Sequence, residues 1–118
     1  MISLFSSDPN FVLISVKPDH LQLWDISNPT RPSLVNKYYG MYQGNFVIRS
    51  CLTDNNLVLG GTVDGSVCVW NTRFGNLIDV IPGHDALINC IDCRVNNSEN
   101  KLEWVSCSDD SSVIVWGS

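Results

Sequence analysis

The sequence predicts an all-β chain built from a repeated four-stranded antiparallel unit, and three observations lead there. The first is a period. Ser112-Val-Ile-Val-Trp116 restates Ser66-Val-Cys-Val-Trp70, and Trp24, Trp70 and Trp116 are spaced 46 residues apart. The second is a register that holds beyond tryptophan. Leu21, Val67 and Val113 share one phase, Leu23, Val69 and Val115 another, and Val12 and Leu13 match Val58 and Leu59. The third is the pattern within each unit: short alternating runs rich in Val, Leu and Trp, each behind turn residues, with no long stretch of helical periodicity. The period is near the roughly 40–45 residues of a four-stranded propeller blade.

Taken in order, the first unit places strands at 2–6, 11–15, 20–24 and 33–39. Pro18-Asp19 is the turn before the third of them, and Ser27-Asn-Pro-Thr-Arg-Pro32 is a loop by composition. The second unit reads as strands at 45–52, 56–60, 66–70 and 76–81, with turns at Asp64-Gly65 and Arg73-Phe-Gly75. The third shows three strands, at 87–93, 102–107 and 112–116, with a loop at 96–100 and a turn at Asp109-Asp110-Ser111. Asp64 matches Asp110 and Ser66 matches Ser112, whereas the first unit has Pro18 in that place and its Asp one position late. The repeats therefore run over about 1–39, 40–82 and 83–118.

A chain of 118 residues, 44% hydrophobic and 16% charged, has room for one domain with a modest core. No apolar run is long enough for a membrane helix, and the N-terminus has no basic segment followed by an apolar one. The expected compartment is cytosol or nucleus. A net charge of −5, with seven scattered basic residues, argues against nucleic acid as the main partner. Five cysteines, an odd number, read as free thiols in a reducing compartment. Cys90 and Cys93 have CxxC spacing, but residues three apart on a strand point to opposite faces, and no second CxxC completes a metal site. No cofactor is expected. Asn96-Asn97-Ser98 forms a glycosylation sequon, which has meaning only in a secreted chain.

Gly83-His84, Ser106, Asp110 and Trp116 in the third repeat, Trp24-Asp25 in the first, and Asp64 with Trp70-Asn71 in the second resemble the WD-repeat family. The pattern departs at Gly117, where Trp-Asp would end, at Gly60, where the Ser would stand, and before repeat two, which has Gln43-Gly44 instead of Gly-His. The resemblance implies a partial β-propeller of about three blades, the C-terminal part of a larger ring whose last blade lacks its outer strand. In such propellers the start of the ring commonly supplies that strand, so a chain of three blades is expected to associate with other chains. His84, Ser106, Asp110 and Trp116 are implied to form a structural tetrad.

Ser, His and Asp together also suggest a hydrolase. Against that reading, no G-x-S-x-G elbow is present and Ser106 falls inside a strand. Gly60-Gly-Thr-Val-Asp-Gly65 lacks the Lys-Ser/Thr of a phosphate loop. Lys37-Tyr-Tyr-Gly40, Gln43-Gly44, Ile48-Arg-Ser-Cys51 and the closing Trp116-Gly117 narrow the resemblance to the WD-repeat subunit of GID/CTLH ubiquitin-ligase complexes. That implies a non-catalytic interaction scaffold that organises the complex or recruits substrates, with ligase subunits, substrates and the remaining blades as partners. The alternative is a generic WD-repeat scaffold in signalling or chromatin. The resemblance further implies partner contacts at Arg49, Asn89 and Asp109. Tyr38, Tyr39, Tyr42 and Phe46 are expected to pack at the junction of the first two blades, and Trp104 has no counterpart tryptophan.

Overall fold

The computed structural model describes residues 2–4, 10–17, 19–42, 44, 50–53, 57–96 and 101–117. Every regular element among them is a strand. Blade one is β1 (Ile2–Leu4), β2 (Phe11–Val16), β3 (His20–Asp25) and β4 (Ser33–Tyr39), hydrogen-bonded in that order. Blade two is β5 (Cys51–Leu52), β6 (Leu57–Gly61), β7 (Ser66–Asn71) and β8 (Leu77–Pro82), again in chain order. Blade three is β9 (Ile88–Asn96), β10 (Lys101–Ser108) and β11 (Val113–Gly117), with β10 central. All pairings are antiparallel. The chain is therefore all-β, a partial propeller whose last described blade has three strands.

Most strand ends fall within a residue or two of the sequence expectation. Of the strand expected at 45–52, only Cys51–Leu52 is described, and residues 45–49 lie outside the described set. β9 continues through Asn96, into what composition assigned to a loop, because it pairs with the whole length of β10. Among the described residues no helix is long and apolar enough to cross a membrane.

The period is carried into the hydrogen-bond register. Val12 pairs with Trp24, Val58 with Trp70, and Trp104 with Trp116. Leu13 pairs with Leu23, Leu59 with Val69, and Val105 with Val115. Trp104 is thus the counterpart of Val12 and Val58, which a search for matching tryptophans could not show. The turn before β7 uses Gly65 at φ 93°, and Ser111 occupies the same place before β11 at φ 70°. A non-glycine residue there costs on the order of 1 kcal/mol.

Because side chains alternate, each sheet has two faces. A trailing face carries the tryptophan at the repeat position and looks back to the preceding blade. A leading face looks forward to the next. Leu13, Leu21 and Leu23 lead from blade one and pack against Val58, Cys68 and Trp70 of blade two. Leu59, Val67 and Val69 lead from blade two and pack against Ile88, Ile91 and Trp104 of blade three. These two cores lie between blades, where sheet faces meet. Burying each Val or Leu contributes about 1.5–3 kcal/mol. β7, Ser66-Val-Cys-Val-Trp-Asn71, is buried along all but its last residue because a blade covers each of its faces.

Candidate functional site

The loop between β8 and β9 brings His84 over the end of β10 and the β10–β11 turn. Its Nε2 lies 2.7 Å from Ser106 Oγ, and its Nδ1 lies 2.8 Å from Ser112 Oγ and 3.3 Å from Asp110 Oδ2. The Trp116 indole N–H donates to Ser106 Oγ at 2.9 Å. One proton arrangement satisfies every donor. Trp116 donates to Ser106, the Ser106 hydroxyl donates to His84 Nε2, and His84 Nδ1–H donates toward Ser112 and Asp110. Ser112 Oγ then donates to Asp110 Oδ1. All four hydrogen bonds run toward the carboxylate.

Two further donors converge on Asp110, the backbone N–H of Asp85 at 2.9 Å and that of Ser112 at 2.9 Å. The Ser112 hydroxyl and then the Asp85 N–H hold this carboxyl well below its usual range, with a smaller contribution from His84. Ser106 is 0% exposed and His84 is buried. The Ser106 hydroxyl is occupied as acceptor and as donor, so the arrangement ties the loop to the sheet and keeps the Ser106 oxygen away from solvent. Among the described residues no three or more His, Cys, Asp or Glu are grouped to hold a metal ion.

Sequence reasoning placed His84, Ser106, Asp110 and Trp116 together and left Ser112 out. Its signal was present, since Ser66 and Ser112 share a register. Gly83 and Gly65, read from the sequence as half of a Gly-His pair and as part of a turn, also have packing roles that only the structure shows. A Cβ on Gly83 would lie 2.6 Å from the Trp116 ring, so only glycine lets the indole reach its place. A Cβ on Gly65 would lie 2.2 Å from the His84 carbonyl oxygen, and Gly65 O accepts the His84 N–H at 3.1 Å. The turn of blade two therefore seats the histidine of blade three.

The related positions depart from this arrangement in different ways. In blade two Asp64 accepts from the Thr62 hydroxyl and from Ser66 N–H, the latter at 3.1 Å. Thr62 was not singled out from the sequence. The Thr62 hydrogen bond leads the causes that lower the Asp64 pKa. Gly60 stands where blade three has Ser106, and a Cβ there would lie 2.9 Å from the Trp70 ring. With no hydroxyl available, Trp70 donates instead to Tyr39 O of blade one, at 2.7 Å. In blade one Trp24 donates to Gln22 Oε1 at 2.9 Å. Gln22 meets His20 at 3.2 Å, and His20 meets Asp19 at 3.1 Å. Three tryptophans in one register thus use three acceptors. Trp70 is 0% exposed, while Trp24 and Trp116 are half-buried, so core burial follows the flanking blades as well as the period.

The expected contact residues are only partly within view. Asn89 Nδ2 donates to Asp109 Oδ1 at 2.8 Å, and both residues are exposed. Arg49 lies outside the described residues, as does Phe46. Of the aromatic group, Tyr38 is buried at the blade one–two junction, and its hydroxyl donates to Thr72 O at 2.7 Å. Tyr39 and Tyr42 are exposed, and Tyr39 stacks on His20. Trp104 stacks on Trp116 with ring centroids 6.4 Å apart. Its indole nitrogen is buried with no hydrogen-bond partner among the described residues.

The register sets Cys93 beside Trp104 and Cys90 beside Cys107, on opposite faces of blade three. All five cysteines are thiols outside any disulfide. The Cys51 thiol is pushed up by the hydrogen bond with Cys93 and by burial, and burial pushes Cys68 up to about 11.

Comparison with known proteins agrees with this architecture. Residues 35–71 and 75–117 match the family described as WD domain, G-beta repeat. The chain is 31% identical over 121 residues to a WD repeat-containing protein 26 homolog of Arabidopsis thaliana, covering 99% of this chain and 20% of that protein. It is 29% identical over 113 residues to GID complex subunit 7 of Schizosaccharomyces pombe, covering 94% of this chain and 21% of that protein. The chain thus spans about a fifth of the length of these relatives. It also superposes on the crystal structure of the computationally designed Ika8 protein with a TM-score of 0.75 and 21% identity. That match covers 98% of this chain and 32% of the designed one, and it is a likeness of fold.

Proposed function

We propose a function from one premise: this chain belongs to the WD-repeat family, whose members are generally protein-interaction scaffolds. On our reading it is a non-catalytic scaffold, part of a subunit of a GID/CTLH-type ubiquitin-ligase complex that organises the complex or recruits substrates. The observation that carries the reading is the alignment with GID complex subunit 7 across 94% of this chain. The Gln43-Gly44 before repeat two and the closing Trp116-Gly117 support the same subgroup. A scaffold role also suits the geometry of the Ser106, His84 and Asp110 group, whose serine is 0% exposed and doubly hydrogen-bonded.

Affinity purification of the tagged chain with mass-spectrometric identification tests this. LisH/CTLH and RING ligase subunits are expected in the eluate, and their absence from the eluate of a longer parent protein would remove the ligase reading. His84→Ala separates scaffold from enzyme. It leaves the Ser106 hydroxyl and the Asp110 carboxylate short of a partner, so unfolding stability falls by about 1–3 kcal/mol in urea. A hydrolytic activity abolished by that substitution in a folded protein would sink the scaffold reading.

A further inference from the structure

The sheet faces sort the five cysteines into separate environments. Cys68 packs toward blade one, in the core with Leu21, Tyr38 and Trp70. Cys51 belongs to the core between blades two and three, and Cys93 packs against that same core. Cys90 and Cys107 sit opposite each other on the other face of blade three. The CxxC spacing of Cys90 and Cys93 therefore brings no thiols together, because β9 turns these side chains to opposite faces.

Cys51 and Cys93 meet across the junction instead. β5 and β9 are in direct contact there. The Cys93 thiol donates to the carbonyl of Leu52, the residue after Cys51, at 3.4 Å. The two thiols also share a hydrogen bond with each other. Thiols close enough for that already point toward one another, which is the first requirement for a disulfide. They differ in access and acidity. Cys51 is 8% exposed, whereas Cys93 is half-buried. The hydrogen bond with Cys93 and burial push the Cys51 thiol up, so it ionises poorly. An oxidant from solvent thus meets Cys93 first.

We propose that Cys51 and Cys93 form a reversible disulfide, driven by a hydroperoxide, that staples blade two to blade three. The hydroperoxide transfers oxygen to the Cys93 thiol, giving a sulfenic acid and an alcohol, or water when the oxidant is hydrogen peroxide. The Cys51 sulfur then attacks Cys93 Sγ. The S–S bond forms, the S–O bond breaks, and the hydroxide leaves with the Cys51 proton as water. In all, two electrons pass from the two thiols to the peroxide. A dithiol returns both electrons and reopens the bond. The closed bond joins β5 to β9 and restrains the unfolded chain between residues 51 and 93.

Titration of the purified 118-residue chain with hydrogen peroxide, then alkylation, tryptic digestion and mass spectrometry, tests this. Cleavage leaves Cys51 and Cys68 in residues 50–73, Cys90 and Cys93 in 74–94, and Cys107 in 102–118. The expected product is a crosslink of 50–73 to 74–94 that dithiothreitol removes. It survives Cys90→Ser and disappears in Cys51→Ala and in Cys93→Ser. The oxidised chain is expected to unfold at about 1 M higher urea than the reduced one, a shift absent from Cys93→Ser. Peroxide added in concentrated urea, where the junction is lost, is expected to spread crosslinks over all the cysteines. A crosslink of 74–94 to 102–118 in place of the expected one, or an unlinked chain at excess peroxide, overturns the proposal. So does the same mixture of crosslinks in buffer and in urea. A crosslink that persists in Cys51→Ala or Cys93→Ser, with an unchanged far-UV circular dichroism spectrum, does so as well.

Discussion

At Asp110 four donors converge on one carboxylate, from the Ser112 hydroxyl and N–H, the Asp85 N–H and His84. Its acidity follows from that count. The folded-state pKa lies below the ordinary value of 3.8, so the carboxylate stabilises the fold above that pH and loses its contribution as pH falls below it. Asp64 adds to the same trend for the same reason. Urea midpoints measured from pH 6 downward are expected to fall as pH drops below about 4, with Asp110→Asn showing a shallower slope. Equal slopes would mean that the carboxylate is no better held in the folded chain than in the unfolded one. Gly60 shows the opposite lesson at this scale. Restoring the repeat-three serine there would press a Cβ into Trp70, so a departure from the motif marks a different packing solution.

Within blade three, the two indoles that stack on each other differ in what their nitrogens do. Trp116 N–H has Ser106 Oγ, whereas the buried Trp104 nitrogen has no partner among the described residues. Trp116→Phe removes a hydrogen bond and leaves Ser106 with one fewer donor, at a cost of about 1–2 kcal/mol plus lost ring area. Trp104→Phe removes an unsatisfied polar atom, which offsets the smaller ring and leaves stability within about 1 kcal/mol of wild type. Denaturant titration of the two variants side by side checks the ordering. A larger loss for Trp104→Phe would show that ring size outweighs polar satisfaction between β10 and the face of blade two.

Across the whole molecule the blades are joined by faces and by a few hydrogen bonds that cross between sheets. Tyr38 donates from blade one to Thr72 O beyond β7, and Trp70 donates from blade two to Tyr39 O. Burial raises the Tyr38 phenol from 10.0 to about 12. A raised folded-state value means that Tyr38 favours the fold fully below pH 10, and that this is lost as pH rises through about 12. Tyr38→Phe is expected to cost about 0.5–1.5 kcal/mol at neutral pH. It is also expected to flatten the alkaline decline measured by circular dichroism between pH 9 and 12. An unchanged alkaline profile would place the decline on other groups.

The strand pattern, the all-β class and the repeat phase were legible because a period-two alternation set in a longer period is a property of residue order alone. The same holds for His84, Ser106, Asp110 and Trp116, whose spacing marks the family pattern. The role of Trp104 was not legible. The 46-residue period aligns it with Val58 and Val12, and the β10–β11 register keeps that match, but valine counterparts give no sign of an indole stacked on Trp116. Neither was the choice of three acceptors for three equivalent tryptophans, which depends on whether a Ser, a Gly or a Gln neighbour leaves an oxygen within reach. The sequence by itself determined which residues alternate, where the chain turns and which side chains share a phase. Tertiary structure decided which of the phased faces are covered. Leu59, Val67 and Val69 are buried while Val113 and Val115 are not, although all sit in one pattern, because burial comes from a neighbouring sheet that local sequence does not encode.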